Sequence, residues 1–236
     1  MLDGPKATII SPDMLSGIGK GKSTSTGASM EFWAKHNLHI LTVAGIAVAA
    51  YLAIGWDGME PVQRSIGVFI VGVTLHEWEE MRFPGGFFDL MSKMFGIKDA
   101  TELQMEKAHG AVAIAIVFFA YVPFFLHEIA WLAMVPAILG IFESFIHVAG
   151  IKIHRLKRPY SPGMATALLI LLPSAVCIIA FGAQGMPAWE WLLSIAYYLA
   201  TFLLMEVCVW GAFGIGPKEL PDRAKGARAY VLGKRP

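Results

Sequence analysis

The chain has 236 residues, 56% of them hydrophobic and 16% charged, with a net charge of +1. Soluble domains carry about a quarter charged residues. This composition, with a mean hydropathy of +0.58, excludes an ordinary soluble domain and points to lipid as the solvent. The small net charge gives no sign of a nucleic-acid partner.

In chain order, the first 35 residues hold no apolar core of signal-peptide length. The Gly/Ser/Thr/Lys-rich stretch 16–29 reads as a mobile tail. A helix needs about 20 apolar residues to cross the hydrocarbon core, and about six stretches meet this. They lie near residues 38–56, 62–81, 108–126, 129–150, 163–183 and 189–213. Cys177 and Cys208 fall in two of these apolar runs and read as buried structural thiols, not as a disulfide framework or a CxxC metal site.

Positive residues alternate between connections. The first tail holds Lys6, Lys20, Lys22 and Lys35; the second–third connection holds Arg82, Lys93, Lys98 and Lys107. Lys152, Arg155, Lys157 and Arg158 follow the fourth stretch, and six more basic residues follow the last. The other connections are nearly free of positive charge, with only Arg64 close by. By the positive-inside bias this predicts an all-α, polytopic membrane helical bundle of about six transmembrane helices with both termini cytoplasmic. The predicted division is a cytoplasmic tail over 1–35, a transmembrane domain over 36–213 and a basic cytoplasmic tail over 214–236, in a multi-pass protein of the inner membrane.

Ionisable residues inside such spans are expensive and mark function. Span two ends with His76, Glu77, Glu79 and Glu80; span three opens with Glu106 and His109; span four carries Glu143 and His147; span six carries Glu206. With alternating spans and about 1.5 Å rise per residue, all fall at one depth, within roughly 10 Å of the cytoplasmic boundary. His76/Glu80 and Glu143/His147 are spaced i,i+4, and Glu106/His109 i,i+3, so each pair shares a helix face. Glu-x-x-His is the spacing of carboxylate-bridged di-iron bundles. The expectation is a site for two divalent metal ions, with His76, Glu79, Glu80, Glu106, His109, Glu143, His147 and Glu206 as ligands. Whether His154 or Glu102 joins them stays open. A metal-free network neutralised by Arg82 and Lys107 is the rival account.

His127 and Glu128 fall at the outer end of span three and read as interfacial, as do Trp56, Trp131, Trp189 and Trp191; His36 and His39 read as facing headgroups. Mixed carboxylates and imidazoles suit iron first, with zinc or manganese as alternatives. The leading expectation for function is an oxidoreductase or oxygenase acting on an apolar or lipid-like substrate, served by an electron-donor protein. A metal-dependent hydrolase, with Glu77 or Glu80 as catalytic general base, is the second reading. A non-catalytic accessory subunit or a proton-relay transporter is the third.

Two motifs carry a resemblance. His76-Glu-Trp-Glu79-Glu80 followed by Arg82-Phe-Pro84, and Tyr160-Ser-Pro162-Gly163 followed by an apolar run ending in Leu172-Pro173, resemble the pattern of the HXXEE family of bacterial integral membrane proteins over about 66–180. The resemblance implies importance for His76, Glu79 and Glu80 and assigns no reaction. The zinc-protease motif His-Glu-x-x-His is absent, because Glu80 stands where the second histidine would be.

Overall fold

The computed structural model describes residues 25–233, with side chains over 31–233. The described residues form eight helices and contain no strand. They are α1 (Ser25–Gly55), α2 (Pro61–Met81), α3 (Phe87–Phe95), α4 (Glu102–Phe125), α5 (Ala130–Ile153), α6 (Met164–Gly182), α7 (Ala188–Ala212) and α8 (Leu220–Val231).

The bundle is organised around α2. Proline at its first position suits a helix start, where no N–H is needed. Its residues Ile66, Phe69 and Ile70 are wholly buried. It packs on α1 and α6; α4 lies against α1, α5 against α6, and α7 closes the bundle across α4 and α5. Close approach depends on small residues, as in membrane helices generally. A Cβ on Gly140 of α5 would stand 2.9 Å from both the Leu171 carbonyl oxygen and the Phe69 ring.

Two helices change pitch at a proline. α4 takes a π turn over Val117–Tyr121 just before Pro123, and α6 takes one over Ala167–Leu171 just before Pro173. Proline offers no N–H and its ring crowds the carbonyl one turn back. A wider turn relieves that clash without breaking the helix.

Five helices are long and apolar enough to cross a membrane: α1, α4, α5, α6 and α7. Apolar side chains such as Ile54, Phe145 and Leu169 are exposed on their outer faces, as lipid contact requires. The expected count of six is corrected here. The second expected span, α2, has 21 residues and so reaches about 31 Å. It fails on apolarity because Arg64, His76, Glu77, Glu79 and Glu80 lie along it. The two further helices, α3 and α8, are short and lie in segments expected to be a loop and a tail.

α1 begins at Ser25, inside the segment expected as the first tail. The expected placement of both termini, and the tail over 16–24, fall on 1–24 and 234–236, outside the described residues. Cys177 and Cys208 are exposed, which overturns their reading as buried. An apolar run in a membrane helix faces lipid as well as the core, so apolar neighbours do not mark burial.

Candidate metal centre

The C-terminal halves of α2 and α5 face each other. α2 presents His76 and Glu80 one turn apart, and α5 presents Glu143 and His147 one turn apart. One ligand atom from each of the four lies within 4.8 Å of all the others. His147 Nε2 stands 3.1 Å from Glu80 Oε1 and 3.5 Å from Glu143 Oε2. His76 Nε2 stands 3.5 Å from Glu80 Oε1 and 3.7 Å from Glu143 Oε2. The two rings meet edge to face, and the Phe87 ring packs on His147.

The opposite ring nitrogens fix the tautomers. His76 Nδ1 lies 3.0 Å from the Gly163 carbonyl oxygen. A carbonyl only accepts, so the proton is on Nδ1. His147 Nδ1 lies 3.2 Å from Ser161 Oγ, whose own hydroxyl donates to the His147 carbonyl at 2.9 Å. Ser161 therefore accepts from Nδ1–H. In both rings the lone pair is left on Nε2, aimed at carboxylate oxygens. Glu80 Oε1 and His147 Nε2 have no hydrogen-bond partner among the described residues. Acceptors facing acceptors in a buried space need a positive charge between them. Neither Arg82 nor Lys107 forms an ion pair with the group among the described residues. Two imidazole nitrogens and two carboxylates are a donor set that could hold a metal ion.

Glu79 turns elsewhere. It accepts from the Tyr160 hydroxyl at 2.6 Å, from the Ala165 and Thr166 N–H groups at 3.0 and 2.8 Å, and from the Thr166 hydroxyl. It thus caps the start of α6 from another helix, supplying acceptors for N–H groups that a helix leaves unpaired. That anchors the segment 161–166 that orients both imidazoles. Burial and the Glu79 carboxylate beside it push the Tyr160 hydroxyl up from its ordinary titration range.

The remaining expected ligands lie outside the group of four. Glu106 and His109 line a polar vestibule between α1, the end of α2 and α4. Glu102 stands at its mouth, in the first turn of α4. Glu206 lies on the wall of a separate apolar cavity, as does Glu77. His154 sits 3.3 Å from the Tyr230 hydroxyl on α8. His127, at the other end of the bundle, stands 3.9 Å from Glu60. Sequence reasoning passed over Ser161, Gly163 and Thr166 as site residues. The Tyr160-Ser-Pro162-Gly163 motif was the available signal, but nothing in spacing alone ties a loop 85 or so residues away to His76.

Fold and site together define an all-helical protein, with helices of membrane-spanning length and apolarity, that buries a His/Glu group between two of them. Residues 67–178 match the family model described as a protein of unknown function with HXXEE motif. All four members of the group lie inside it. No curated protein and no solved structure matches the chain.

Proposed function

We propose that this chain is an inner-membrane metalloenzyme that holds one divalent ion on His76, Glu80, Glu143 and His147 and oxidises an apolar or lipid-like substrate. The observation that carries the reading is a shared wall. His76, Glu80 and Glu143 also line an apolar cavity of about 280 Å³, otherwise walled by residues such as Phe119, Leu139, Phe142 and Trp210.

Donors about 2.1 Å from one tetrahedral ion stand about 3.4 Å apart. The four cross-pairs measure 3.1 to 3.7 Å. Two ions about 3.5–4 Å apart would spread their ligands further than this. These spacings support one ion on this group, where the sequence led to an expectation of two. An ion of the class this donor set favours, iron or manganese before zinc, supplies a redox-capable Lewis-acid centre.

The chain's own residues do the rest. Gly163, Ser161 and Thr166 hold the imidazoles by their Nδ1–H groups. Glu77, buried on the cavity wall, is placed to hold and release a proton at its carboxylate. The cavity keeps bulk water from the reacting chain. No Lys or Arg lines it, so it lacks the cationic clamp that phosphoryl transfer uses. That disfavours phosphoryl hydrolysis, and the oxidation reading takes dioxygen as oxidant and an electron-donor protein as partner.

Metal analysis of detergent-purified protein, prepared without chelators, tests the proposal. Wild type and His127→Ala should each carry about one redox-active ion per chain. His76→Ala and Glu143→Ala should each lose most of it. Near-zero metal in all four would refute the metal reading; stoichiometric zinc would move the reaction class to hydrolysis.

A further inference from the structure

Glu80 walls two cavities of opposite character. One is the apolar cavity; the other is the vestibule of about 160 Å³ that Glu106 and His109 line. We infer that the α4 face carrying Glu102, Glu106 and His109 is a transit site that passes a divalent cation from the protein surface to the His76/Glu80/Glu143/His147 group. The inference rests on the metal reading above and adds the route by which the ion arrives.

The geometry supplies a graded path. Glu102 is exposed, Glu106 and His109 are half-buried, and Glu80 is 8% exposed. Along α4 the three side chains follow at i, i+4 and i+7, on one helix face, over about 10 Å. His109 Nε2 has no hydrogen-bond partner among the described residues, and neither does Glu80 Oε1 at the inner end. Both of these atoms are buried, on residues that line the vestibule. Two cations border the same space. Lys35 is already held by Glu31 at 2.8 Å, and Arg82 is exposed at the rim. Carboxylates therefore dominate the interior of the path. The alternative approach, through the apolar cavity, would strip a divalent ion of water among phenylalanines and methionines with nothing in exchange. A funnel of one charge sign raises capture rates by about 10–10³. Transit ligands should thus govern how fast the ion arrives without deciding how tightly it is held.

The test follows cobalt(II) uptake by the metal-stripped full-length chain in detergent, read as the growth of the ligand-field spectrum. Glu106→Gln and His109→Gln should load at least tenfold more slowly than wild type, and reach the same stoichiometry and spectrum. Glu102→Gln, exposed and in the first turn, carries little risk to folding and should slow loading less. Glu128→Gln, at the opposite end, should load like wild type. Equal rates in wild type and the vestibule variants would overturn the route and leave the metal reading intact. A lower final stoichiometry in Glu106→Gln or His109→Gln would overturn it too, by making these residues resident ligands. No uptake by wild type would overturn both.

Discussion

Gly163 is where the backbone comes closest to the chemistry. Its φ is +94°, and a Cβ there would stand 2.5 Å from His147 Cε1 and 2.8 Å from His76 Cε1. Its carbonyl meanwhile accepts from His76. Neither imidazole can retreat, since both are almost wholly buried. Gly163→Ala should therefore destabilise the chain by about 2 kcal/mol or more, from backbone strain and overpacking together. It should also lower metal content although no ligand changes. A detergent-solubilised thermal melt and metal analysis read the two effects; an unchanged melt would contradict the packing described. The adjacent glutamates show why a motif does not divide its own labour. Neighbouring residues on a helix point about 100° apart, so one of Glu79 and Glu80 had to leave the centre. Which one leaves is decided by α6, whose first N–H groups meet Glu79, and no spacing within α2 carries that information.

α3 is the element that the sequence concealed. Phe87, Phe88, Met91, Met94 and Phe95 put its apolar side against the cavity, so it forms part of the roof. At nine residues it is far too short to register as a span, and Lys93 with the flanking Arg82 and Lys98 makes the segment resemble a cytoplasmic loop. α8 holds it down. Arg223 donates to the Phe95 carbonyl at 3.2 Å and the Gly96 carbonyl at 2.6 Å, where α3 ends. Cations are favoured at that end of a helix. Hydrogen bonds from a charged donor contribute about 1.5–3 kcal/mol. Arg223→Ala should therefore lower the amide protection of residues 87–95 roughly tenfold in hydrogen exchange, while protection in α2 and α5 stays as it was. Equal loss throughout would mean general destabilisation, not release of the roof. The long apolar helices, by contrast, were readable to within several residues, apart from the start of α1, which lies at Ser25, 13 residues before the expected 38. Their length and uniform apolarity are set by the solvent, and hydropathy reads that directly. The π turns escaped notice because proline in a membrane helix announces a defect without saying how the helix absorbs it.

At the scale of the whole molecule, the polarity of α2 sets a problem that the finished bundle no longer shows. Each ionised residue near the middle of a helix adds about 2.5–3.5 kcal/mol to its transfer from the translocon into lipid. α2 carries three glutamates and a histidine near one end and an arginine near the other. In the folded chain His76 and Glu80 meet α5, and Glu79 meets the start of α6, both synthesised later. What α2 has at the moment of synthesis is α1. Trp78 donates to Thr42 across the pair at 2.8 Å, and Thr74 fills the space above Gly45. The α1–α2 contact therefore predicts insertion as a hairpin, with α1 leaving the channel together with α2. In a glycosylation-mapping assay, α2 presented alone between reporter sites should pass through the translocon largely uninserted. The same segment preceded by α1 should integrate, and α2 alone should integrate once Glu77, Glu79 and Glu80 are replaced by leucine. Efficient insertion of unaltered α2 by itself would remove the need for the hairpin. On this prediction the carboxylates and imidazole of α2 constrain the order in which the helices enter the membrane.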